Sequence, residues 1–119
     1  MVWGQSDCQI LPARALDALT GDPVHGEPHR GKYDKQSALR YQLRVWRSRY
    51  PDYLSQRGAH RIEGRVVFGD IVLFRQRDWP TPGGAMFVTN DLMLVPLASC
   101  IELRPIEHFE VHSVWRVPH

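Results

Sequence analysis

The second half of the chain is a series of short apolar runs placed very close together. "DIVLF", "AMFVT", "LMLVP", "SCIELR" and "FEVHSVW" follow one another between residues 70 and 115. Parallel strands need a crossover of about a dozen residues, usually a helix, and no gap here leaves room for one. Antiparallel pairing is what remains. Asn90-Asp91 lies between two of the runs and suits a two-residue hairpin turn. Ile71–Phe74 is apolar at every position, which predicts a central strand covered on both sides. Residues 107–116 alternate as an extended strand would. Phe109, Val111 and Trp115 are then expected on a buried face, and His108, Glu110 and His112 on the opposite one.

Upstream of the strands the periodicity is helical. "DKQSALRYQLRVWRSRY" predicts one main helix over about 34–50, capped by Asp34 and ended by Pro51. Leu39, Leu43, Trp46 and Tyr50 form the stripe expected to face the core. Arg40, Arg44 and Arg47 form a second stripe about a quarter turn away. Residues 1–33 read as an N-terminal arm: a short helix over "PARALDAL", closed by Gly21, and then the Gly/Pro loop "TGDPVHGEPHRGKYD". The expected architecture is α+β and a single domain overall. It is a small antiparallel β-barrel or strongly curved sheet of five or six strands, with the helix packed on it over residues 34–119.

With 119 residues the chain suits one core. No apolar run reaches the roughly 20 residues a membrane helix needs, and the first residues lack a basic start before an apolar core. The expectation is a cytoplasmic chain in the cell that expresses it, with no membrane partner. Cys8 and Cys100 are far apart and belong to no CxxC motif.

Net charge is only +2, but 13 of the 15 basic residues are arginine. Arginine's planar fork of donors suits phosphates and carboxylates. The segment "RQRDWPTPGG" adds Arg75, Arg77 and Trp79 in what reads as a loop, turned by Gly83-Gly84. Arginines would hold phosphate there and the indole would stack a base or anchor a partner. No phosphate-cradling glycine motif and no nucleophile elbow occurs, and nothing calls for a cofactor. His108, Glu110 and His112 are the metal candidates, with His25 or His29 from the arm to complete a site, and polar residues on the outer face of an edge strand explain them as well.

"GDIVLF", "FVTND" and "LVPLAS", taken in order over residues 66–103, resemble the PemK/MazF-type toxins. The matching positions are Gly69, Asp70, Ile71 and Val72, then Asn90 and Asp91, then Ser99. That resemblance implies an SH3-like barrel and RNA cleavage without a metal, with Arg75 or Arg77 on the scissile phosphate and Ser99 lining the site. The chain departs from the family where an Arg-Pro pair is expected, because Gly83-Gly84-Ala85 stands there.

Three functions are therefore expected in this order. The first is a non-enzymatic binding module in which Arg40, Arg44, Arg47, Arg75, Arg77 and Trp79 engage RNA, DNA or a complex that handles them. The second is a PemK/MazF-like endoribonuclease. The third is an accessory protein of a phage or mobile element, acting by protein–protein contact. An exposed edge strand would make a homodimer accessible.

Overall fold

The computed structural model describes residues 2–45, 50–77, 82–89, 91–96 and 100–118. Three helices precede the strands: α1 (Ile10–Thr20), α2 (Ala38–Val45) and α3 (Tyr50–Gln56). Six strands follow: β1 (His60–Arg61), β2 (Ile71–Phe74), β3 (Gly83–Thr89), β4 (Leu92–Pro96), β5 (Ile101–Pro105) and β6 (Val111–Arg116). They form one antiparallel sheet in the order β1-β6-β2-β3-β4-β5. Nothing joins β5 to β1, so the sheet is open and the barrel alternative is not what forms.

β2 is central, as its composition predicts: β6 and β3 flank it and all four side chains are buried. Both faces of the sheet carry a core. On one, Ile71, Leu73 and Met86 pack against Leu16 of α1 and against Tyr53 and Leu54 of α3. On the other, Val72, Phe74, Phe87, Met93 and Val95 are covered by Cys8, Val66, Ile106 and Phe109 from turns and loops. A bidentate pair between half-exposed Arg116 and buried Asp70 ties β6 to the start of β2. Arg116 donates from Nε and Nη2 to the Asp70 carboxylate, both at 2.9 Å.

The single helix over 34–50 is corrected to two. α2 ends at Val45 and α3 begins at Tyr50, and residues 46–49 lie outside the described residues. Pro51 therefore sits in the first turn of α3 rather than ending a helix, a place where its missing N–H costs nothing. The core stripe also differs. Leu43 is 52% exposed and Leu39 only half-buried, while Ala38 is fully buried. The strand expected over 107–116 starts only at Val111, because Ile106–His108 is a 3₁₀ turn. Gly83 and Gly84 are strand residues, not a turn. A Cβ on Gly83 would lie 2.8 Å from both the Phe74 ring and the Gln76 side chain, so the glycine is there for packing.

The hairpin is as expected. Thr89 pairs with Leu92, and Asp91 takes a left-handed φ of 64°. Gly21 closes α1 with φ 75°.

Residues 22–34 have no sheet partner, yet they are tied down by directional bonds. The Asp17 carboxylate accepts from the backbone N–H of His25, Gly26 and Glu27 at 2.7–3.0 Å. Gly26 lies so close to α1 that an added Cβ would be 2.6 Å from the Arg14 nitrogen. Asp7, fully buried, accepts from Gly4, Gln9 and Ile10 backbone N–H groups and from the Tyr33 hydroxyl.

Candidate nucleic-acid interface

α2 is set by its start and by one aromatic residue. The Asp34 carboxylate accepts from the Ser37 N–H at 3.0 Å, and the Ser37 hydroxyl accepts from the Asp34 N–H at 3.0 Å. This reciprocal cap holds the Asp34 carboxyl below the usual carboxylate range, through the Ser37 hydrogen bonds. Four residues into the helix, Tyr41 turns inward. Its ring packs on His29 and on Tyr33 at 5.9 and 5.0 Å between centroids, and its hydroxyl lies 3.0 Å from His29 Nδ1. With Ala38 and Tyr41 inward, Arg40, Leu43 and Arg44 share the outward face and all three are exposed.

The described arginines differ in what they face: Arg14 donates to the Gln5 carbonyl and Arg57 lies over the Tyr53 ring. Arg30, Arg61, Arg75, Arg104 and Arg116 each face a carboxylate within 4 Å, those of Glu27, Glu63, Glu110, Glu102 and Asp70. No such ion pair involves Arg40 or Arg44 among the described residues. Of the third member of that stripe, Arg47, and of Trp79 and Ser99, nothing is described. Arg75 is held at 2.9 Å by Glu110, and Arg77 is exposed at the end of the same turn.

The His108, Glu110 and His112 group does not assemble. His108 lies in the 3₁₀ turn, Glu110 turns to Arg75, and His112 Nδ1 lies 2.9 Å from the Ser113 hydroxyl. Val111 is 39% exposed, and Ser113 is the buried residue of this strand. Among the described residues no three His, Cys, Asp or Glu side chains come together as metal ligands would.

Two features escaped the sequence reading. The first is the imidazole–phenol cluster behind α2. His29 lies between two hydroxyls, Tyr41 at Nδ1 and Tyr53 at Nε2, 3.0 and 3.2 Å away. Burial pushes His29 down to about 4, and the Arg57 guanidinium pushes the same way. The second is an open groove of about 630 Å³ between the Val67-Phe68 turn and the end of β3. Val66, Val67, Phe68, Phe87, Val88 and Ile106 are its apolar lining, with Arg65 and Asp91 as its charged residues. No pattern at 3.6 or 2 residues marks either feature, because both join segments far apart in the chain.

A family model described as a domain of unknown function, DUF6950, matches residues 1–117. The chain belongs to the DUF6950 family. Neither the curated proteins nor the solved structures contain a match.

In this DUF6950 chain Cys8 and His29 are both held in the uncharged form. The Cys8 thiol is buried, donates to Gln76 Oε1 at 3.2 Å, and is pushed up to about 12 by that burial, so it is no thiolate near neutral pH. His29 is neutral and enclosed by phenols. Both cysteines are free thiols. No described helix is long and apolar enough to cross a membrane.

Proposed function

We propose that the chain is a non-catalytic binding module that engages an anionic partner through α2, with nucleic acid as the favoured class. The observation that carries this reading is the exposed pair Arg40 and Arg44, one helical turn apart and without a carboxylate within reach among the described residues. Five other arginines have one. A guanidinium already held by a carboxylate must give up that bond to take a phosphate, whereas an exposed one with no such carboxylate has no ion pair to give up. Leu43 between the two arginines supplies an apolar contact on the same face. Phosphate contacts of this kind position a nucleic acid without reading its sequence.

The test is fluorescence anisotropy of a labelled single-stranded oligonucleotide titrated with the full chain across a salt series. Affinity is expected to fall steeply with salt, and the double variant R40Q/R44Q is expected to reduce the slope of log K against log salt by about 1.4. Affinity that is flat between low and physiological salt, or equal for the double variant and the wild type, overturns the reading.

A further inference from the structure

We propose that β5 is an interface for a second copy of this chain, pairing antiparallel with its own counterpart about a two-fold axis at Leu103. The inference stands independently of the α2 reading.

Among the described residues β5 ends the sheet, with β4 on one side and no strand on the other. The direction of its backbone groups follows from a neighbouring bond. The Ile106 N–H donates to the Asp91 carbonyl at 2.8 Å, toward β4. Backbone groups alternate along an antiparallel strand, so Arg104 and Glu102 also turn toward β4. Ile101 and Leu103 then turn their N–H and C=O groups to the open edge. Pro105, which has no N–H, falls on the open side as well, where it removes no bond within the chain.

The side chains say what fits that edge. On one face Ile101 and Leu103 are 42% and 53% exposed, beside half-buried Leu92 and Leu94 of β4. On the other, Glu102 and Arg104 bond to each other at 2.7 Å with 42% of each side chain exposed. The sequence Glu102-Leu103-Arg104 has opposite charges either side of one apolar residue. In an antiparallel pair centred on Leu103, Glu102 of each copy stands opposite Arg104 of the other. Both cross-strand pairs are then of opposite sign, and the two leucines meet at the centre. A slip of one residue moves the apolar side chains to the charged face, so the charges fix the register. An extended peptide of another protein would match this pattern only by having the same one; a second copy has it necessarily. The contact also closes on itself, because both copies use the same strand about the two-fold axis.

Sedimentation velocity on the full chain tests this. Wild type is expected to dimerise. E102R places Arg opposite Arg104 of the second copy, and R104E places Glu opposite Glu102. Each single variant is expected to weaken dimerisation by about tenfold or more and to keep the wild-type thermal melt when dilute, since both positions are half exposed. An equimolar mixture of the two variants is expected to restore the dimer, because every cross-strand pair is again of opposite sign. The loss in both single variants together with the rescue is what this register predicts, because a slip of two residues would set Glu102 opposite Glu102 and leave neither variant a favourable pair to lose; a misfolded variant could not give the rescue. A wild type that stays monomeric, a dimer indifferent to both changes, or a mixture that fails to recover overturns the proposal.

Discussion

The segment before α2 and the β4–β5 end of the sheet are opposites. Residues 22–34 have no periodicity, two glycines and two prolines, yet His25, His29 and Tyr33 within them are buried. β5 is a regular strand with good alternation, yet none of its side chains is fully buried. Regular hydrogen bonding and burial are therefore separate properties here. The segment is held by side-chain carboxylates and phenols that act one bond at a time. The strand is held by a backbone ladder to β4 alone, and the helices α1 and α3 cover β2 and β3 instead of reaching it.

The largest break in that comparison is at Asp7. Its buried carboxylate accepts three backbone N–H groups and the Tyr33 hydroxyl. Asp7→Ala leaves those donors without their acceptor in a site closed to water, and the cost is expected to be about 3–5 kcal/mol. Urea unfolding followed by circular dichroism measures it. A loss below about 1 kcal/mol would mean that water or a shifted backbone replaces the carboxylate, and the segment would then not depend on this bond set.

His29 sharpens the comparison through pH. Its value falls from 6.5 to about 4 on folding, because burial and then Arg57 disfavour the charged ring, while Asp17 opposes them. The unfolded chain thus binds the proton first. The stabilisation is complete above pH 6.5 and is lost as pH falls from 6.5 toward 4, below which both states are protonated. At about 1.4 kcal/mol per unit, reduced for partial solvent access, the loss over that window is about 2 kcal/mol. His29→Asn is expected to flatten this part of the stability–pH curve, whatever it does to stability at pH 7. Thermal melts at pH 7 and pH 4.5 for both proteins give the comparison, and an equal drop in the two would remove His29 from the account.

How much of this was legible in the sequence follows from the kind of force involved. Ile71–Phe74 announces a central strand because burial on both faces demands four apolar residues in a row. Asn90-Asp91 and Gly21 announce a turn and a helix end through backbone conformations few residues adopt. The stripe of Arg40 and Arg44 was legible as a surface because spacing alone puts them on one side of a helix. That Leu43 joins them, and not the core, was not legible: Tyr41 sets the rotation of α2 through partners from the 22–34 segment. Gly83 misleads for the same reason, since its need for no side chain comes from Phe74 and Gln76 in other segments. The loop site was half legible. Arg75 is on the surface as expected, but the carboxylate that occupies it comes from Glu110, thirty-five residues on.

The smallest expected effect is at Leu103, and it separates strand formation from strand burial. Leu103→Thr keeps a residue suited to β structure and removes apolar surface that is 53% exposed already. In dilute solution, where any self-association is dissociated, unfolding free energy is expected to change by no more than about 0.5 kcal/mol. A loss of 2 kcal/mol under those conditions would mean that the helices or loops cover β5 after all, and the contrast with residues 22–34 would collapse. Raising the protein concentration then adds information of a different kind. A free energy of unfolding that climbs with concentration in wild type but not in Leu103→Thr would show that this leucine does its packing against a second chain, because only association makes stability depend on concentration.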